Sequence, residues 1–232
     1  MARRSLALFL SLLASVSLAR TAGAAGGAPT AAVLYFDYEG KDAELGLLRK
    51  GLAQMLISDL SGNDSVRVVE RDRLQEVLAE LKLQSTNKID PASAVKAGKL
   101  LGARYLVLGA YFDVMKNFRA DARVVDVETG QVLFSVGATA KPEDFLTLEQ
   151  KLGTDIGRWF TTSLPAVPVK AAAVRRPKPP AALPSRTLLE YSKALEAVDA
   201  GDKQKAKESL AKVLKDQPDF QLASIDLDKM MK

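Results

Sequence analysis

Apolar positions recur along this chain with two periods, and the switches between them mark out its elements. Ala31 to Phe36 is an unbroken apolar run ending at Asp37, the pattern of a buried strand. Asp42 offers a helix cap, and Leu45, Leu48, Leu52, Met55, Leu56 and Leu60 fall on one stripe, so a helix is predicted from Asp42 to about Leu60. Gly62 supplies a stop. Val66, Val68 and Val69 form a second strand. Asp72 with Gln75 three residues on is a capping-box-like start, and Leu74, Val77, Leu78 and Leu81 repeat at helical spacing.

Asp90-Pro91 opens the next helix, with a capping acid followed by proline at the first helical position. That helix presents Ala94, Ala97, Gly98 and Leu101, small residues that allow close approach to a sheet, and Gly102 ends it. Tyr105 to Phe112 reads as a strand. Phe118 to Val127 and Gln131 to Thr139 flank Glu128-Thr129-Gly130, a hairpin turn with glycine where positive φ is expected. Asp144 then opens a helix carrying Phe145, Leu148, Leu152, Ile156 and Phe160. The order β-α-β-α-α-β-β-β-α predicts an α/β fold: a mixed sheet with packed helices.

Both ends of the chain read differently. Arg3 and Arg4 precede an apolar stretch from Leu6 to Ala19, and Ala22-Gly23-Ala24 fits a cleavage site, so residues 1–24 read as a signal peptide. The stretch is about 14 residues, short of the ~20 that a spanning helix needs. Residues 25–163 hold the α/β domain. Residues 164–186 form a Pro/Ala-rich basic linker with six prolines and five cations, either a soluble spacer or a tether to anionic envelope groups. In residues 187–232, Leu188, Tyr191, Leu195 and Val198 share one helical face, Gly201-Asp202 makes a turn, and Ala206, Leu210, Val213 and Leu214 face back before Pro218. This predicts a small α-helical hairpin. Its spacing is similar to a single tetratricopeptide unit, followed from Leu222 by part of another helix.

Composition narrows the chemistry. The chain has no cysteine and no histidine. That excludes disulfides, thiol nucleophiles, Ser-His-Asp triads and a lipidated cysteine. The formal charge of +5 falls to +2 without Arg3, Arg4 and Arg20, and to −3 without the linker's five cations. The folded parts are thus not basic, which disfavours nucleic acid. Asp37 and Glu39 flank the end of the first strand, where open α/β sheets bind ligands, and could form a carboxylate pair for acid–base or metal work; a solvated or capping role suits them better. Glu70-Arg71-Asp72 sits at a strand-to-helix turn. There Asp72 reads as a cap, and Glu70 and Arg71 read as an ion pair or a contact to a partner. Gly40-Lys41 and Gly98-Lys99 lack the glycine-rich run of a phosphate loop. Trp159 reads as a core or domain contact. No catalytic, cofactor or metal residues are assigned.

The runs Glu70-Arg71-Asp72-x-Leu74, Gly98-x-Leu100-Leu101-Gly102-Ala103 and Asp126-x-x-Thr129-Gly130 resemble the CsgG-like family of curli assembly and transport proteins, across about Ala31 to Phe160. The resemblance implies a topology shared with the N-terminal domain of TolB and with outer-membrane activators of peptidoglycan synthases. It implies a non-enzymatic, exported protein of the periplasm, associated with the outer membrane through its partners. Those partners would be envelope proteins, met through the sheet edge and the C-terminal helices, with a homo-oligomer among the options. The alternative is a regulator that activates a cell-wall synthase. Pore-forming members carry a lipidated cysteine and long insertions that become membrane hairpins. This chain has no cysteine, and its strand connections are short, so a channel is not expected.

Overall fold

The computed structural model describes residues 27–83, 88–164 and 177–231. The expected signal peptide and most of the expected linker lie outside these residues. The strands are β1 (Thr30–Val33), β2 (Asp37–Tyr38), β3 (Arg67–Val68), β4 (Tyr105–Val114), β5 (Asn117–Asp126) and β6 (Val132–Ala140). The helices are α1 (Leu48–Leu60), α2 (Arg71–Glu80), α3 (Pro91–Leu100), α4 (Phe145–Ser163), α5 (Ser185–Asp199), α6 (Lys203–Asp216) and α7 (Gln221–Met231).

The strands form one mixed sheet ordered β3-β1-β4-β5-β6, with β2 also paired to β4. β1 runs parallel to β3 and β4, and β4, β5 and β6 are antiparallel neighbours. The mixed α/β architecture is the one the sequence predicts. The apolar run at Ala31 opens as β1, paired on both sides by β3 and β4, and all six residues to Phe36 are buried. It does not stay regular. Val33 faces Val107 but Asp37 faces Ala110, so the chain carries one extra residue between β1 and β2.

Opposite strand residues share a face, which divides the sheet cleanly. Tyr105, Phe118 and Phe134 meet α4: Tyr105 and Phe134 lie 6.0 and 5.9 Å from Trp159, and Phe118 lies 5.2 Å from Phe145. α3 covers part of the opposite face. A Cβ on Gly98 would lie 3.1 Å from Leu106 and 2.9 Å from Val127, the close approach that small residues permit. The outer strands of that face stay open and carry Arg119 and Arg123, both exposed.

Two expected helix starts move. Asp42 does not cap a helix. Its Oδ1 accepts from the Glu44 N–H at 2.9 Å, and its carbonyl accepts from the Gly46 N–H, so it closes a local turn before a 3-10 segment at Leu45–Leu47. Asp72 is not a cap either. α2 starts two residues earlier than a cap at Asp72 would place it, with Glu70 extended at the cap position and no side-chain bond there. Gln75, the expected partner in the box, instead accepts from the Tyr35 hydroxyl at 2.9 Å. Other expectations hold. Asp90 accepts from the N–H groups of Ala92 and Ser93, both at 3.0 Å. Gly130 has φ of 71° in the β5–β6 turn. That turn is held by Asp126, whose Oδ1 accepts from the Glu128 and Thr129 N–H groups at 2.8 and 3.0 Å, while its Oδ2 meets Arg104 at 2.6 Å.

The proline-rich segment leads to the expectation of two separate cores, and the structure differs. Leu183, Leu188, Tyr191 and Leu195 belong to the same buried cluster as Leu52, Leu56 and Phe36. α5 lies directly on α1. Gly51 allows this: a Cβ there would sit 2.7 Å from Leu188, and its N–H donates to Ser192 Oγ at 3.2 Å. α6 packs back on α5, and a third helix, α7, is tied on where the Tyr191 hydroxyl donates to Asp226 at 2.7 Å.

Candidate functional site

The densest set of buried charge lies where α5 meets α1 and α2. Lys50, in the first turn of α1, is 2% exposed, and Arg71, the first residue of α2, is 5% exposed. Both converge on Asp199 at the end of α5: Lys50 Nζ lies 2.6 Å from Oδ2, and Arg71 Nη1 lies 2.7 Å from Oδ1. Each cation has a second partner nearer solvent, Glu196 at 2.9 Å for Lys50 and Asp72 at 3.2 Å for Arg71. Charges so far from water persist only when paired and hydrogen-bonded, so this triad fixes the angle at which α5 docks.

Tyr35 closes the cluster from the sheet side. Its ring lies under two cations, with the Arg49 guanidinium 5.5 Å and the Lys50 ammonium 5.7 Å from its centre. Burial pushes its phenol up to about 12, against the pull of Arg71. Burial also works against the Arg71 cation, but the facing Tyr35 and Asp199 outweigh it and hold the guanidinium protonated.

Above the triad opens a cleft of about 600 Å³ between the Tyr38–Leu47 loop and the end of α5, with Lys41, Asp42, Arg49 and Glu196 on its walls. Tyr38 stands at its mouth. Its hydroxyl donates to Asp113 at 2.5 Å and accepts from the Asp42 N–H at 3.3 Å. Burial, then the Asp113 bond, raises its phenol to about 12. The cleft is therefore walled by both signs of charge, with Lys50 paired to Glu196 and Asp199 at its floor. It suits a polar segment of a partner better than a small reacting molecule.

The sequence-derived site residues scatter. Glu70 is exposed, beside a small recess between α2, α5 and α7. Arg71 is engaged inside the chain with Asp199. Asp37 holds the α2–α3 connection, accepting from the Ile89 N–H at 3.3 Å, and burial raises its carboxyl. Glu39 reaches Lys88 at 3.8 Å. The two therefore serve the connection between α2 and α3. Trp159 is half-buried and packs against the core. Lys50 and Asp199 are 149 residues apart, so no local pattern announces their pairing. An arginine, a lysine and a glycine in a row at the start of a mostly apolar helix are the signal they leave.

Residues 14–115 match the family model of the curli production assembly/transport component CsgG. Over that stretch the chain is similar to the CsgG family. The matched residues run from the N-terminal stretch through β4 and end at the tip of the β4–β5 hairpin, so the Asp126-x-x-Thr129-Gly130 turn lies beyond them. No curated protein matches the chain. Among solved structures, the chain is similar to the LpoB C-terminal domain from Salmonella enterica, at 14% identity over 51% of this chain and 87% of that one, with a TM-score of 0.40. It is similar to lipoprotein GNA1162 from Neisseria meningitidis, at 14% identity over 58% of this chain and 99% of that one, with a TM-score of 0.42. It is also similar to TolB from Acinetobacter baumannii, at 13% identity over 60% of this chain and 29% of that one, with a TM-score of 0.32.

Proposed function

We propose that this chain is a non-enzymatic assembly or scaffold protein of a bacterial envelope system, exported to the periplasm and held near the outer membrane by its partners. The similarity to the CsgG family over residues 14–115 carries this reading. Two features set the chain apart from pore-forming members. The β4–β5 connection is the two-residue turn Met115-Lys116, both at positive φ, so the hairpin closes with no inserted segment. The chain also has no cysteine to lipidate. Among the described residues, no helix is long and apolar enough to cross a membrane. Partners would be engaged at the mixed-charge cleft and at Glu70, because both lie where the helical addition meets the sheet domain.

Crosslinking in intact cells followed by mass spectrometry tests this. Envelope secretion or assembly components should be recovered, and Glu70→Arg should reduce their recovery at an unchanged melting temperature. Recovery of peptidoglycan synthases instead would replace the scaffold with an activator. Turnover of a cell-wall substrate that is lost in Asp37→Ala would make the protein an enzyme and end the proposal.

A further inference from the structure

The sheet has two edges, and they are protected very differently. β3 is two residues long and carries the exposed Arg67, and short charged edges do not invite pairing. β6 is nine residues long and contains no charge and no proline. Its inner side pairs with β5, and among the described residues nothing pairs with its outer side. Val132 and Leu133 at its start are 52% and 41% exposed. The one irregularity lies there too. Val124 faces Phe134 while Val125 faces Val132, so Leu133 is the extra residue of a bulge. Beyond it, Phe134 to Ala140 is regular.

We propose that this edge pairs with the same edge of a second copy of the chain, antiparallel and centred on Gly137. An uncharged strand can meet its own copy without bringing like charges together. The register centred on Gly137 also matches sizes. It sets Phe134 opposite Ala140 and Val136 opposite Ala138 on the covered face, large against small. On the open face it sets Ser135 opposite Thr139, a hydroxyl pair. Gly137 itself lies under the Arg119–Asp121 ion pair, and a Cβ there would sit 2.5 Å from Asp121 Oδ1 and 3.1 Å from Arg119 Nη2. The bare glycine lets this bridge lie flat, so two such bridges flank the symmetry axis without crowding it. The contact is isologous, so it closes at two copies and joins two sheets into one. It does not rest on the envelope reading.

Sedimentation of the purified full chain over about 1 to 100 µM should reveal a dimer. Ser135 and Thr139 are both exposed, so S135K/T139K should leave the fold intact and set lysines opposite one another twice. Its dissociation constant should rise about tenfold or more. Mixing it with S135E/T139E should restore a heterodimer. If the double variant melts early, because its lysines also face Arg119 and Arg123 of its own β5, S135E/T139E alone supplies the same test, setting glutamates opposite one another twice while pairing them with those arginines. A monomer at every concentration, a dimer indifferent to the lysines, or no rescue on mixing would each overturn the proposal.

Discussion

Asp199 is the carboxylate that Lys50 and Arg71 share, and its removal tests whether the helical addition belongs to the core. The three side chains are 7%, 3% and 6% exposed. Removing one partner from a buried ion pair costs roughly 3–5 kcal/mol, because the remaining charge stays out of water. Asp199→Ala would strand two cations, but each keeps a second partner. Those partners, Glu196 and Asp72, are 41% and 80% exposed, so each interaction is worth only about 0–1 kcal/mol. The expected loss is therefore about 3 kcal/mol, the lower end of the range. For a chain of this length that is a fall in Tm of roughly 6–12 °C. Urea unfolding followed by Trp159 fluorescence is the assay. The single tryptophan lies on α4 against β4 and β6, so it reports the sheet domain, while the lesion lies on α5. A loss below about 1 kcal/mol would refute the reasoning. So would a helical circular dichroism signal that melts well before the tryptophan signal, since that would mean two independent units.

Other expectations concern single carboxyl groups. Asp90→Ala should lower Tm by a few degrees, because Asp90 caps α3, whereas Asp72→Ala should leave it nearly unchanged; equal losses would return Asp72 to a capping role. Glu149, on α4, is 1% exposed and lines a small cavity with Ser58, Asp59 and the Pro177–Pro180 stretch. Burial first, then the negative Asp59, holds its carboxyl well above the usual range. The folded chain thus keeps a proton that the unfolded chain releases near pH 4.3, so this group's contribution is full below about pH 4 and is lost as pH rises through the folded value. Glu149→Gln should flatten that fall and raise Tm at pH 8. A variant with the wild-type slope would place the titration elsewhere.

The legible parts of the fold were those written in local pattern. The Asp90-Pro91 start and the Gly130 turn each carry their signal within a few residues, and each forms as read; the Ala31–Phe36 run is buried as read but is a strand only to Val33. The misplaced starts at Asp42 and Asp72 have one cause. A capping acid can satisfy backbone in a tight turn or pair with a neighbour as readily as it caps, and only the surroundings decide. The largest omission, α5 on α1, has no local signature. Lys50 and Arg49 look like the solvated side of an amphipathic helix, and they are buried only because a segment about 140 residues later covers them. Gly51 is the trace of that cover in the sequence, since nothing within α1 itself requires a glycine there.

The shared core changes what a break in the chain would mean. Lys170 and Arg175 lie in the proline-rich segment and are sequence sites for a trypsin-like protease, whereas the bond after Arg176 is blocked by Pro177. If the two parts were beads on a string, such a cut would release the C-terminal piece. With Leu188, Tyr191 and Asp199 seated against α1, both pieces should stay together as a nicked, two-fragment protein, and the C-terminal helices become a subunit in all but covalent connection. A gene encoding only the sheet domain would then leave a vacant seat on α1, able to accept the helical piece supplied separately.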